Sequence, residues 1–193
     1  MFNLIPQWTE DGVLPALNES EPTSPVRSPY KASLSAFVDR FAITSERCNI
    51  IDGYLKHREK LHSLGMTSGF QWVDGSFLEH IELIENRPPN DVDVVTFFDV
   101  DNDKVELLTP EEIQVLVDNN WIKEHYKVDF YAQSLKEDPE VLVSMAAYWY
   151  SMWSHRRTMQ WKGFLQIDLS PSDDSKAVEL LADRTMEYSH GQE

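Results

Sequence analysis

Three aspartates and a glycine–serine pair have the residue types and the spacing that chemistry on phosphate groups needs. Gly75 and Ser76 follow a short apolar run, and Asp91 and Asp93 open a second one. Side chains of a strand alternate between its two faces, so Asp91 and Asp93 are predicted to point the same way, about 7 Å apart. Two carboxylates at that distance can share a divalent cation, and magnesium favours a few carboxylates together with substrate phosphates.

A third carboxylate, Asp129, lies in a later run in which apolar residues alternate with polar ones. An ionised carboxylate is rarely buried without a cation or hydrogen-bond donors. Asp129 is therefore either a third metal ligand or an acid on an edge strand or at the surface, and its spacing from the other two aspartates favours the metal role.

The glycine–serine pair is suited to holding phosphate oxygens. Gly75 lets the backbone turn tightly and lets a ligand approach it closely. Ser76 stands where a helix is expected to begin, so its hydroxyl and the free amides there can bind an anion.

The elements that position these residues follow one another in a simple order. The pattern predicts a strand over residues 69–73, a turn, a helix over 77–85, a loop over 87–90 and a strand that starts at Asp91. A helix that opens with a capping box at Thr109 then leads to a third strand, around residues 126–133, that contains Asp129.

This order resembles the DNA polymerase β-like nucleotidyltransferase superfamily, in which Gly-Ser follows a strand, acid-x-acid opens the next one and a third acid comes later. The resemblance covers residues 69–132, and in size the chain is similar to the minimal nucleotidyltransferases of bacterial toxin–antitoxin and phage-defence systems. It implies an α+β fold with a small mixed β-sheet flanked by helices. It also implies two Mg²⁺ ions at Asp91, Asp93 and Asp129, the last binding only the ion that activates the acceptor hydroxyl. Gly75 and Ser76 would hold the triphosphate of ATP or another NTP.

The reaction that this resemblance implies moves a nucleoside monophosphate from NTP to a protein or RNA acceptor. Two alternatives from other classes stay open. The first is a catalytically weak or inactive protein of the same fold, whose acidic surface binds and neutralises a basic protein partner. The second is a synthetase of nucleotide second messengers, although such enzymes usually carry a larger helical domain.

Composition limits the binding partners and the compartment that can be expected for this chain. The chain has 193 residues, 41% of them hydrophobic, and a formal net charge of −16, which argues against a broad nucleic-acid surface. No apolar run reaches the ~20 residues that cross a bilayer, and no secretory leader is visible at the start. The single cysteine, Cys48, is expected in the core and fits a reducing cytoplasm.

The expected domain organisation is an extended, proline-rich arm over residues 1–32 that stays outside the sheet, followed by one domain over 33–193. Helices are expected over residues 33–43 and 45–64, and the second is the most basic part of the chain. Its charges form a solvated face, or else they offset the acidic site or contact a phosphate. The run over 141–153 is apolar on most sides and predicts a helix that is central to the fold or packed on a partner. Arg156 and Arg157 after it either stabilise the end of that helix or reach nucleotide phosphates.

Overall fold

A five-stranded mixed sheet forms the centre of the computed structural model, which describes residues 5–101, 103 and 107–190. The strands are β1 (Tyr30–Ala32), β2 (Gly69–Asp74), β3 (Val92–Phe98), β4 (Val128–Ser134) and β5 (Leu165–Asp168). Their order across the sheet is β1-β5-β2-β3-β4. β1 pairs with β5 and β3 with β4 in parallel, whereas β2 is antiparallel to both of its neighbours. The expectation of an α+β fold with a small mixed sheet is confirmed.

Helices cover both faces of this sheet. They are α1 (Leu34–Phe41), α2 (Ser45–Ser63), α3 (Ile81–Glu85), α4 (Pro110–Val117), α5 (Asn119–Tyr126), α6 (Pro139–Trp153) and α7 (Asp174–His190), with 3-10 turns at Ser76–Leu78 and Pro171–Asp173. The expected capping box at Thr109 is present, with both of its hydrogen bonds to Glu112. The single helix expected to begin at Thr109 is divided in two, because Asp118 closes α4 and caps α5.

The two faces of the sheet are packed differently. On one face α2 contributes Tyr54, whose hydroxyl donates to the side-chain carbonyl of Gln71, and His57, whose ring lies 4.4 Å from that of Phe130. On the other face α6 and the chain after it pack aromatic rings against β2 and β4. At one end of this second face the strands carry polar side chains instead of aromatic ones, so that end can form a polar site.

Two expectations are wrong, one about the N-terminal arm and one about the helix after Gly75. The N-terminal arm does not stay outside the sheet: Tyr30–Ala32 is the edge strand β1, paired in parallel with Leu165–Ile167. Residues 1–4 of the expected arm and 191–193 of the expected domain lie outside the described residues. The helix expected over 77–85 is interrupted at Glu79, whose φ of −90° and ψ of 156° are extended. A 3-10 turn and the short α3 take its place.

The basic residues of α2 also depart from expectation. Arg47, His57 and Arg58 are fully buried, so for these three residues the expected solvated face is wrong. Arg58 pairs with Asp174 of α7 at 2.9 Å and donates to the Gln71 side chain, which ties α2 to both the sheet and the last helix. The cations of Arg47 and Arg58 therefore hold the fold together. Cys48 is buried, as expected.

Candidate functional site

A row of carboxylates crosses three neighbouring strands at one end of the sheet. Asp74, the last residue of β2, is the register partner of Asp93 in β3, and Asp93 is the register partner of Asp129 in β4. Residues directly opposite one another on paired strands point to the same face. Asp91 stands immediately before β3. The structure therefore brings the three predicted aspartates together and adds Asp74 as a fourth.

Lys123 bridges two members of this row from the neighbouring helix α5. Its Nζ lies 2.6 Å from Oδ2 of Asp91 and 3.2 Å from Oδ2 of Asp129. Asn119, at the start of the same helix, donates from Nδ2 to Oδ1 of Asp129 at 2.7 Å and accepts from the amide of Phe130. α5 thus fixes the orientation of Asp129. This residue lies on the edge strand β4, a position that one of the two interpretations of the sequence expected.

Burial by itself would raise the pKa of Asp129, but the hydrogen bonds from Asn119 and Lys123 outweigh it, and the pKa lies below its usual value. The pKa of Lys123 is raised, chiefly by its hydrogen bond to Asp91. Lys123 and Asp129 therefore both stay charged near neutral pH.

Asp93, in the middle of the row, has no such support. No described residue donates a hydrogen bond to its carboxyl group. Burial, followed by the negative charges of Asp74, Asp91 and Asp129, raises the pKa of Asp93 from 3.8 to about 7, against a smaller opposite effect of Lys162. The site concentrates negative charge at this residue without a cation beside it.

A buried ionic network lies behind the row. Nζ of Lys162 is 3.1 Å from Oδ1 of Asp74, 3.0 Å from Oε1 of Glu79 and 3.3 Å from the carbonyl oxygen of Gly75. Burial raises the pKa of Asp74 to about 6, although the charge of Lys162 opposes the shift. Arg156 pairs with Glu79 at 3.0 Å and with Glu85 at 3.1 Å, so in this structure it serves the network.

Sequence reasoning missed Lys123 and Lys162. Lys162 lies within the apolar run that leads into β5, which is a weak sign of its role, since a buried lysine needs an anionic partner. The position of Lys123 on a short helix carried no comparable signal.

Gly75 makes room for Asp93. Its φ of 86° and ψ of −173° belong to a region that is essentially reserved for glycine. A Cβ atom at this position would lie 2.6 Å from Oδ2 and 2.8 Å from Cγ of Asp93. The predicted turn is therefore present, and it lies directly against the carboxylate row.

The segment that follows Gly75 is anchored from two sides. Arg47 donates to the carbonyl oxygens of Phe77 and Glu79, each at 2.6 Å, and the indole of Trp8 donates to the carbonyl oxygen of Leu78 at 2.7 Å. Ser76 is half-buried, and its hydroxyl makes no hydrogen bond to any described residue. The turn is thus rigid, while the serine remains available.

Across residues 5–101, 103 and 107–190, no three His, Cys, Asp or Glu side chains are arranged as a ready-made metal site. Between Asp91 and Asp129 the ammonium of Lys123 stands where a shared cation would be. Two observations fit a cation here: the row already binds one positive charge, and Asp93, whose pKa is raised by burial and by the neighbouring carboxylates, lies against space that only a glycine leaves open. None of the helices in the described part of the chain is long and apolar enough to cross a membrane.

Residues 6–168 match the model of a family of unknown function, DUF6932. Because the match extends over most of the chain, this protein belongs to that family. No curated protein matches the chain at a significant level, and no solved structure does.

Proposed function

We propose that this chain is a Mg²⁺-dependent nucleotidyltransferase that moves a nucleoside monophosphate from an NTP to a protein or RNA acceptor. One observation carries the proposal. Asp93 and Asp129 stand side by side in the register of two parallel strands, and Asp91 shares the ammonium of Lys123 with Asp129. The carboxylates of Asp91, Asp93 and Asp129 therefore lie near one another beside the Gly75 turn.

Asp91, Asp93 and Asp129 are the residues that would hold Mg²⁺. When bound, the metal would neutralise phosphate charge and stabilise the attacking and leaving oxygens of an in-line displacement. The side chain of Lys123 is 46% exposed, so it is free to leave the two carboxylates. After leaving, it would remain beside the row and could pair with phosphate oxygens.

The turn supplies the other half of the proposed site. Gly75 lets a phosphate approach the backbone next to Asp93, because a side chain there would occupy that space. The free hydroxyl of Ser76 would donate to a phosphate oxygen. Arg47 and Trp8 hold the following carbonyl groups, so the turn is set before any ligand arrives.

Transfer of label from α-³²P-labelled NTPs tests the proposal. Each of the four NTPs is incubated with the protein, Mg²⁺ and either a protein or an RNA fraction as acceptor. Asp91→Asn and Asp93→Asn are expected to reduce transfer about 100-fold or more, because each removes a charge that acts on the reacting phosphate. Asp52→Asn is the matched control, since the side chain of Asp52 in α2 is 50% exposed and, among the described residues, pairs with Lys56.

Binding is measured in parallel by calorimetry with Mg²⁺ and a non-transferable NTP analogue. If the wild-type protein binds none of the four nucleotides at millimolar concentration, the proposed function is wrong. The biological setting that the resemblance implies is tested by expressing the chain in bacteria: growth arrest is expected with the wild-type protein and not with Asp93→Asn.

A second candidate function is an acidic protein of the same fold with weak or no catalysis that binds a basic protein partner. The bridging contact of Lys123 favours it, because this ammonium already neutralises part of the row without a metal. The net charge of −16 is also consistent with a basic partner. Wild-type protein and Asp93→Asn that behave alike with every NTP would favour this candidate over the first.

A further inference from the structure

An aromatic cluster lies one step along β4 from the carboxylate row. Tyr131 follows Asp129 by two residues, so the two side chains are on the same face of the strand, about 7 Å apart at ~3.3 Å per residue. The Tyr131 ring packs against Trp149 of α6 with its centroid 4.8 Å away, and Tyr148 meets Trp149 edge-on at 5.2 Å. The cluster therefore borders the proposed site and is built by two rigid elements.

Two of these rings are open to solvent. Tyr131 is 41% exposed and Tyr148 is 51% exposed, whereas Trp149 beneath them is only 6% exposed. The face of a tyrosine fixed in this way is a surface on which a flat ring can stack.

Trp149 forms the buried base of this cluster. Its indole Nε1 is buried and has no hydrogen-bond partner among the described residues. Because this atom has no accessible surface, Trp149 supports the two exposed rings by packing and does not itself meet a ligand.

We infer that Tyr131, with Tyr148 and Trp149 beside it, forms a subsite for a nucleobase. The inference rests on the proposed function and makes it more specific, since a nucleoside joins a hydroxyl or phosphate to a base over a distance like that between Asp129 and Tyr131. The base belongs either to the NTP or to a nucleic-acid acceptor, and the chemistry of the subsite is the same for both. The site thus favours a base-bearing ligand over a peptide.

Calorimetry with three ligands separates these sources. The ligands are α,β-methylene-ATP and inorganic tripolyphosphate, each with Mg²⁺, and a single-stranded hexaribonucleotide of mixed sequence. Tyr131→Leu is expected to weaken at least one of the two base-bearing ligands about 10-fold, because base–aromatic stacking contributes to the affinity. It should leave the affinity for tripolyphosphate unchanged. Tyr131→Phe keeps the ring and is the matched control, with affinities expected within about twofold of wild type.

Each outcome decides a different point. A loss for the ATP analogue alone assigns the subsite to the donor base, and a loss for the hexaribonucleotide alone assigns it to the acceptor. The subsite is overturned if Tyr131→Leu weakens tripolyphosphate and the base-bearing ligands equally, or if it weakens neither base-bearing ligand. In either case the proposed function stands as long as the wild-type protein binds tripolyphosphate and the ATP analogue. If wild-type protein binds neither triphosphate compound, the proposed function fails, and the hexaribonucleotide then tests the subsite alone. Label that accumulates on protein and is unaffected by Tyr131→Leu would indicate a peptide acceptor and overturn the subsite.

Discussion

Replacing Asp93 with asparagine should stabilise this protein above neutral pH. Burial and three neighbouring carboxylates raise the pKa of Asp93 from 3.8 to about 7. The folded protein therefore binds this proton more tightly than the unfolded chain does. Between these two pKa values the unfolded chain has released the proton and the folded protein has kept it, so the free energy of unfolding decreases as the pH rises.

The size of this effect follows from the shift. One pKa unit corresponds to about 1.4 kcal/mol, so a shift of about three units lowers the free energy of unfolding by about 4 kcal/mol once the pH exceeds 7. Asparagine has nearly the shape of the protonated carboxyl group and does not ionise. Between pH 5 and pH 8 the variant should therefore gain about 3 kcal/mol relative to the wild-type protein.

Urea-induced unfolding, followed by tryptophan fluorescence in the presence of EDTA at pH 5 and pH 8, measures this gain. Most single substitutions destabilise a protein, so a stabilising change within a half-buried row is a distinctive result. Asp52→Asn provides the control, because this exposed partner of Lys56 should change stability by less than about 0.5 kcal/mol at either pH. A loss of stability for Asp93→Asn at pH 8, or the same difference at both pH values, would refute the electrostatic reasoning.

Magnesium extends the same experiment to the proposed ligand. A ligand that binds only the folded state stabilises it in proportion to the logarithm of its concentration above Kd. Added Mg²⁺ should therefore stabilise the wild-type protein at pH 8 and have little effect on Asp93→Asn. If both proteins respond equally, the row does not hold the ion through Asp93, even when the pH dependence is as expected.

Three further predictions concern other parts of the fold. Gly75→Ala should destabilise the protein by about 1–3 kcal/mol or more. The loss should exceed that of Gly65→Ala, because Gly65 has a similar φ of 84° but open space around the added Cβ. Equal losses in urea unfolding would contradict the contact between Gly75 and the carboxylate row. Burial lowers the pKa of His57 to about 4, so its contribution is fully present above the unfolded pKa and is lost as the pH falls. Wild type should lose about 3 kcal/mol more than His57→Gln between pH 7 and pH 4. Parallel stability curves would show that the pKa of His57 is the same in the folded and unfolded states. Arg58→Met should reduce the free energy of unfolding by about 3 kcal/mol, because it leaves the half-buried carboxylate of Asp174 without its buried cation. A loss below about 1 kcal/mol in the same assay would mean that the ion pair contributes little.

The local parts of this structure were predictable because their signals lie within a few residues of one another. The alternation around Asp91 and Asp93 predicted a strand and a shared face, and Thr109 and Glu112 predicted a helix start. Gly75 predicted a tight turn, which a conformation with φ of 86° confirms. Such features depend on backbone preferences and on the period of two in a strand.

The contacts that complete the candidate site were not predictable, because they join residues distant in sequence. A lysine at position 123 or 162 shows its charge in the sequence but not its carboxylate partners. The same holds for Arg47 and Arg58, for which a basic helix gave no sign of complete burial. Pairing across the fold decided the environment of these side chains, and residue type alone favoured solvent exposure.

The cations along the carboxylate row are distributed unevenly. Lys162 compensates Asp74 from the buried side, and Lys123 compensates Asp91 and Asp129 from the exposed side. Asp93 stands between them, and no described cation pairs with it, although it is the most crowded by negative charge. Solubility does not explain this arrangement, because an acid contributes to solubility only where it faces water. A neutral side chain at this position is expected to give a more stable fold, and under the proposed function a positively charged ligand would recover the free energy that ionisation of this carboxylate costs.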